Sequence, residues 1–282
     1  MSVTARPATR STAPLGRLLR SELRTALCRR RTLVALGVLA LVPVLIGAGV
    51  AAQGSAGTGR VSGLITAASG NGLLLPVAAL AATLDLLLPL AVSLAAADIL
   101  AGEAACGALR GRLLAPVSRP RLVAVKACAV CVVAVLAVLV VALVGLATGA
   151  AVLGGAGQLL TLSGSVVGTG DALARIALAV GWTALQVAAV GAVALAVSSV
   201  TDHPLVVVAS VLGGAIGFGV LDTIPSLGWL HPWLLTTAWT ALPDVLRDPM
   251  PTDGLLRGAL LAAGYLVVGL VAAVAGLVRR EG

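Results

Sequence analysis

Six long stretches of this chain carry very little charge, and each is long enough to cross a lipid bilayer. They cover approximately residues 32–52, 73–100, 123–149, 172–199, 205–221 and 255–278. A spanning helix needs about 20 mostly apolar residues. Only 11% of the residues are charged, whereas soluble domains carry about 25%. The sequence therefore predicts an all-α polytopic membrane protein whose six transmembrane helices form one domain over residues 32–278.

The basic residues are distributed unequally between the two ends of these stretches. One end has eight arginines in the leader 1–31, four arginines and Lys126 after the second stretch, and the arginines of the tail 279–282. The other end has only Arg60, Arg175, Arg247 and Arg257. Loops rich in arginine and lysine stay in the cytoplasm. We therefore expect both termini and the loop 101–122 to be cytoplasmic, in a multi-pass protein of the cell membrane. The net charge of +8 is then a topology signal, and no nucleic-acid partner is predicted.

The leader contains an amphipathic helical pattern. Its apolar face consists of Leu15, Leu18, Leu19, Leu23 and Leu27, with arginines on the opposite face. Such a helix is expected to lie along the membrane interface. Glu22 falls inside the apolar arc, where lipid would disfavour a carboxylate. A local ion pair or snorkelling would explain Glu22, and so would contact with a protein partner.

The segment between the second and third stretches is the most charged part of the interior sequence. It includes Glu103, Arg110, Arg112, Arg119 and Lys126, so we expect it to face water. Pro116 ends one short helix and Ser118 can cap the next. A helix, a break and a capped helix suit docking to a partner, although a cytoplasmic loop without a partner has a similar composition.

Two polar residues are predicted at bilayer depth. Asp85 lies near the middle of the second stretch, four residues before the kinking Pro89, and Gln186 lies at comparable depth in the fourth. An isolated charge there costs at least about 2.5–3.5 kcal/mol on insertion scales. A hydrogen bond between the two residues would clamp their helices together. The alternative is a polar position on a translocation path or a proton relay.

The loops on the side with few basic residues differ in composition. Residues 53–72 and 150–170 are rich in glycine, serine and threonine and are predicted to be simple connectors. The segment 222–254 contains Trp229, His231, Trp233 and Trp239 among several prolines. This composition predicts short interfacial or re-entrant helices anchored by tryptophan, because tryptophan favours the headgroup region.

Signatures of catalysis are missing from the sequence. The single lysine, Lys126, lies between Val125 and Ala127, so the chain has no phosphate-binding Gly-Lys-Ser/Thr loop. No motif typical of a hydrolase or a zinc enzyme occurs. Cys128 and Cys131 have no second cysteine pair or histidine nearby in the sequence, and packing explains them better than metal binding. We expect no catalytic, cofactor-binding or metal-binding residue, and no enzyme activity of the chain itself.

The charged segment carries a resemblance to a known family. The residues concerned are Ala101-Gly102-Glu103, Gly107 to Arg110, Leu113-Leu114, Pro116-Val117-Ser118-Arg119 and Lys126. They resemble the pattern of the permease subunit of bacterial ATP-binding-cassette exporters of the six-span type, with Ala108 in place of the usual threonine. The amphipathic leader, the six spans and the basic tail also resemble that family.

The resemblance implies a separate nucleotide-binding subunit that holds ATP and Mg and supplies hydrolysis. Glu103, Arg110, Arg112 and Arg119 would then contact that subunit, with Glu22 nearby. Two permease copies, identical or homologous, would line one path, and the segment 222–254 would gate its outer end. We expect export of a hydrophobic or amphipathic substrate. The alternatives are a proton-coupled carrier that uses Asp85, and a non-transporting immunity or anchor protein.

Overall fold

The chain is helical along most of its length, and its helices fall on the stretches identified by hydropathy. A computed structural model describes residues 15–53, 71–101, 119–153 and 158–279. Five of its helices are long and apolar enough to cross a membrane, and a bent pair makes a sixth candidate span. The prediction of an all-α polytopic membrane protein is confirmed.

The helices occur in the following order. They are α1 (Leu15–Cys28), α2 (Arg30–Gln53), α3 (Leu75–Leu84) after a short 3-10 turn (Gly72–Leu74), α4 (Leu87–Ile99), α5 (Arg119–Thr148) continued by a π-helical turn (Gly149–Leu153), α6 (Thr169–Ser198), α7 (Pro204–Asp222), α8 (Leu235–Trp239) and α9 (Thr252–Arg279). Three 3-10 turns (Pro225–Leu227, His231–Trp233 and Leu242–Leu246) accompany α8 between α7 and α9.

Helix α6 is the centre of the bundle. It packs against α4, α5, α7 and α9, and 61% of its most apolar window is buried within the protein, compared with 11% for α7. Close approach of α6 and α9 depends on Gly269, where a Cβ would lie 2.7 Å from the carbonyl carbon of Ala192. Helix α7 therefore lies at the periphery, with most of its apolar surface uncovered.

The second span is not one straight helix. Helices α3 and α4 meet at a bend of 59° at Asp85 and Leu86. Pro89 has no N–H to donate to the carbonyl of Asp85, and its ring clashes with that carbonyl, so the helix breaks there. Regular bonding resumes when the N–H of Leu90 donates to the carbonyl of Leu86 at 2.9 Å. The sequence predicts a kink within one continuous span, whereas the structure has two helices at this point.

The connector expected at 150–170 contains a small antiparallel hairpin. Strand β1 (Gln158–Leu160) pairs with β2 (Val166–Gly168), with Leu159 opposite Val167. Gly164, at φ +83°, supplies the left-handed residue that the tight turn needs. The hairpin corrects the prediction of a simple connector for this region.

Contacts among helix ends define two ends of the bundle. The end at which Arg29, Asp98, Lys126 and Ser198 come together is called the basic end below. The hairpin, the start of α6 and the segment 222–254 lie at the opposite end.

Candidate functional site

Lys126 is the most deeply buried charge at the basic end. Its side chain has 0% exposure, although it is the eighth residue of α5. The Nζ atom donates to the carbonyl oxygen of Ile99 at 2.6 Å and lies 3.9 Å from Oε1 of Glu22. The expectation that Lys126 faces water was wrong, because α1 and the end of α4 supply a carboxylate and a carbonyl that replace its hydration.

Glu22 finds its partner inside its own chain. The residue is 5% exposed, and with Ala26 it forms the face of α1 that packs on α5. The local ion pair considered for Glu22 is therefore the arrangement in the structure. The expected contact between Glu22 and another subunit stays a prediction, and burial against Lys126 leaves only 7% of this side chain exposed for it.

Asp98 forms a second charged group beside this pair. Its carboxylate accepts a hydrogen bond from Arg31 at 3.2 Å and lies 3.8 Å from the Arg29 guanidinium. Arg29 also donates to the carbonyl of Asp98 at 2.7 Å. These contacts fasten the start of α2 to the end of α4. We call Glu22, Arg29, Arg31, Asp98 and Lys126 the basic-end cluster.

Ser198 ties the last turn of α4 to the last turn of α6. Its hydroxyl accepts from the N–H of Ala101 at 3.0 Å and donates to the carbonyl of Ala96 at 3.4 Å. Both Ser198 and Ala101 are fully buried. The backbone just before residue 102 is thus fixed to the central helix.

These contacts lie on both sides of the segment 102–118, which contains most of the residues predicted to contact an ATPase subunit. Glu103, Arg110 and Arg112 lie outside the described residues, and Arg119 begins α5. The segment 102–118 lies in the sequence between Ala101, which is held by Ser198, and α5, which is held by Lys126. A displacement of 102–118 would therefore act on helices that are anchored to each other and to α1.

The two polar residues predicted at bilayer depth do not form the expected pair. Asp85 lies at the bend of the second span, and it is exposed on the surface of the protein. Gln186 is fully buried, and its Nε2 donates to the carbonyl of Gly258 at 3.0 Å. The interhelical bond expected between Asp85 and Gln186 is replaced by one between α6 and α9, because Gly258 lets these helices approach closely.

The tryptophans of the segment 222–254 divide into two groups. Trp229 and Trp233 are largely exposed, whereas Trp239 is buried. The prediction of short helices is matched by three 3-10 turns and α8, and His231 begins the second of these turns. The expectation that all three tryptophans anchor the membrane interface is corrected for Trp239, which packs into the core that α8 and α9 share.

Arg175, which sequence reasoning did not single out, holds this segment in place. Its guanidinium donates to the carbonyls of Val245 at 3.3 Å and Arg247 at 2.7 Å and lies 3.5 Å from Asp248. The hairpin adds bonds from Ser165 to the Asp248 carboxylate and from the Asp248 N–H to Ser163. We call Ser163, Ser165, Arg175 and Asp248 the opposite-end clasp. In the sequence, this clasp was indicated only by the presence of Arg175 on the side of the spans that has few basic residues.

A small apolar pocket lies between α6, α7, α8 and α9. Its volume is about 110 Å³, and Val190, Phe218, Thr236, Trp239 and Tyr265 are among its lining residues. Within the described residues, neither Nε1 of Trp239 nor Oγ1 of Thr236 has a hydrogen-bond partner. Buried polar atoms are normally satisfied, so these two atoms are exceptions, and the almost wholly apolar lining of the pocket suits an apolar group.

Comparison with known families agrees with the arrangement of the spans. Residues 17–234 match the model of the ABC-2 family transporter protein. The chain belongs to the ABC-2 transporter family. This ABC-2 protein is therefore a multi-pass membrane protein and a permease of the ATP-binding-cassette class. The matched region includes the basic-end cluster and ends before α9. A comparison with curated proteins finds no match.

Proposed function

We propose that this ABC-2 permease exports a hydrophobic or amphipathic substrate, powered by a separate ATPase subunit that docks on the segment 102–118. The ATPase would hold ATP and Mg, and Glu103, Arg110, Arg112 and Arg119 would form the contact. The observation that carries the proposal is the anchoring of both ends of this segment. Ala101 is fixed by Ser198, and α5 is fixed through Lys126.

Family membership favours this reading over the alternatives. A permease whose chain has no phosphate-binding loop requires hydrolysis by a partner. A proton-coupled carrier would need further buried ionisable residues along its path. Asp85 is instead exposed at a helix bend, and the buried charges of the basic-end cluster are paired with each other.

The substrate class is supported by the pocket between α6 and α9. Its wall is almost entirely apolar, which is consistent with contact to the apolar part of such a substrate. A second permease copy would complete the path. Among the residues that the structure describes, no atom lies within 4 Å of a Cβ placed at Gly213 or Gly217 of α7, which is consistent with a helix that meets another copy.

The proposed orientation places the basic end in the cytoplasm of the cell. Cys28 is exposed at the end of α1, so a variant with Cys28 as its only cysteine provides a probe. A maleimide that cannot cross membranes should label this variant in inverted vesicles and not in intact cells. Labelling from outside intact cells would contradict the orientation and the cytoplasmic docking of the ATPase.

The ATPase contact is tested by charge reversal. The tagged permease is purified from native membranes, and we expect a protein with a phosphate-binding loop to co-purify and to hydrolyse ATP faster in its presence. The variant Arg110→Glu/Arg112→Glu should lose both effects. Arg257→Glu, at the exposed start of α9, is the matched control and should retain them. Equal losses in both variants would show that the segment 102–118 is not the docking site.

The direction and class of transport are tested in inverted vesicles that contain the permease and the ATPase. An exporter should take up an amphipathic fluorescent probe into these vesicles when ATP is supplied, and not with a non-hydrolysable analogue. ATP-dependent release of a preloaded probe would instead indicate import.

A further inference from the structure

A groove of about 390 Å³ lies between α2 and α4 at the basic end. Its α2 wall extends from Arg30 to Leu39 and its α4 wall from Leu87 to Leu94. The side chains between the two ends of the groove are aliphatic, and Val34 and Val38 are 65% and 49% exposed. The volume falls within the range of about 300–1,000 Å³ that is usual for ligand sites.

The depth of the groove corresponds to one leaflet of a bilayer. An α-helix rises 1.5 Å per residue, so the α2 wall is about 14 Å long. The hydrocarbon core of a bilayer is about 30 Å thick. The groove therefore begins where the charged ends of the spans meet the headgroups and continues along the hydrocarbon of a single leaflet.

The end of the groove at the membrane surface carries excess positive charge. Arg30 and Arg31 both line it. Arg29 and Arg31 share the single carboxylate of Asp98, and Arg30 has no ion pair within the described part of the chain. The one carboxylate of Asp98 is already shared by two guanidinium groups, so the Arg30 and Arg31 side chains leave this end of the groove with net positive charge. Guanidinium groups bind phosphate through paired hydrogen bonds.

We propose that this groove binds an anionic phospholipid of the leaflet at the basic end. The lipid phosphate lies at Arg30 and Arg31, and one acyl chain lies against Val34, Val38 and Leu87. The orientation proposed above places this leaflet on the cytoplasmic side, where anionic lipids are concentrated. The lipid site depends on the groove and its charge, and it requires neither the ATPase partner nor an exported substrate.

A second copy of this chain fits the groove less well. In a two-fold symmetric pair the same surface is used by both copies. Pairing through this groove would bring Arg30 and Arg31 of one copy next to the same arginines of the other, and like charges in contact are unfavourable. A zwitterionic lipid would fill the apolar part but would gain less from the arginines.

The test uses the full chain in detergent and measures retained lipid by native mass spectrometry. Phosphatidylglycerol and phosphatidylcholine with identical acyl chains are added at equal concentrations. We expect the unmodified chain to retain phosphatidylglycerol preferentially. The variant Arg30→Gln should lower this preference about fivefold, as expected for one arginine near an anionic lipid. Arg24→Gln, an exposed arginine of α1 that does not line the groove, should leave it unchanged.

The acyl-chain part of the site is tested by filling the groove. Val34→Trp should reduce retention of both lipids, whereas Leu33→Trp should not, because Leu33 is 55% exposed and does not line the groove. Arg30→Lys, which keeps the charge, should keep the preference. Unfolding temperatures of all variants are measured alongside, so that a misfolded variant is recognised by its melting rather than by its lipid content.

Three results would overturn the proposal. The first is equal retention of the two lipids by the unmodified chain. The second is competition by the chain-free headgroup glycerophosphoglycerol as effective as that by the intact lipid. The third is conversion of a dimer to a monomer by Val34→Trp without change in lipid content, which would assign the groove to contact between copies.

Discussion

The two ends of the bundle are held together by different kinds of contact. At the basic end, buried charged side chains from α1, α4 and α5 meet, and Lys126 is completely enclosed. At the opposite end, Arg175 donates mainly to backbone carbonyls, and its ionic partner Asp248 is 43% exposed. One end therefore depends on buried charge pairs, and the other on hydrogen bonds near water.

This difference bears on which end can transmit force. Separating a buried charge from its partner strongly destabilises the fold. The helices of the basic end are therefore expected to move together. The opposite-end clasp can loosen locally, because water can replace its bonds. The basic-end cluster is therefore better suited to coupling with an ATPase. The opposite-end clasp is better suited to a segment that must move.

The largest expected effect comes from removing the buried lysine. Lys126→Met leaves the Glu22 carboxylate without its ammonium partner and the Ile99 carbonyl without its donor. We expect the free energy of unfolding to fall by about 3–5 kcal/mol, measured by unfolding in a detergent titration. The double variant Glu22→Gln/Lys126→Met should be less destabilised than the sum of its single variants. Simple additivity would show that the two side chains do not interact.

A smaller effect is expected from Arg175→Gln at the opposite end. The variant loses the charged bonds to the carbonyls of Val245 and Arg247, and we expect a loss of about 2–3 kcal/mol. Limited proteolysis should cut the segment 242–248 faster. Asp248→Asn is the control and should cost less than about 1 kcal/mol, because the carboxylate is partly exposed and its ion pair is screened. A larger effect at Arg175 than at Lys126 would reverse the contrast between the two ends.

Ser198→Ala tests the fastening of α4 to α6. The N–H of Ala101 would lose its acceptor in a buried environment, and we expect a cost of about 1–2 kcal/mol. Hydrogen exchange at Ala101 should accelerate. Ser199→Ala is a matched control, because the Ser199 hydroxyl donates to the carbonyl of Ala196, three residues earlier, and not to α4 in the described part of the chain. Equal exchange in the two variants would mean that Ser198 does not anchor the backbone before residue 102.

Much of the fold could be predicted from the sequence because a bilayer imposes a length on each apolar stretch. The five long spans and the approximate place of the bend in the second span followed from that constraint and from the missing N–H of Pro89, whereas the division of that span into two helices did not. Side-chain pairing could not be predicted in this way. By hydropathy alone, Lys126 and Glu22 are expected at the surface. Their burial as a pair depends on the packing of α1 against α5.

The site was predicted less completely than the fold. Glu103, Arg110 and Arg112 lie outside the described residues, so their contacts remain predictions. Gln186 was expected to bond Asp85, but the partner depended on how closely α9 approaches α6 at Gly258. Arg175 contacts residues about 70 positions away in the sequence, and no local pattern reveals such a contact.

The smallest expected effect is that of Asp85→Asn on transport. The bend between α3 and α4 separates the half of the second span near the clasp from the half that joins the basic-end cluster. Pro89 causes this bend through the backbone, so a change of the Asp85 side chain should preserve it. We expect ATP-dependent transport in vesicles to change by less than about twofold, with or without a proton gradient. Pro89→Ala restores a backbone donor and should reduce transport further, because straightening this span would alter the link between the two ends. Loss of all transport in Asp85→Asn, with the bend retained, would instead indicate a proton-coupled carrier.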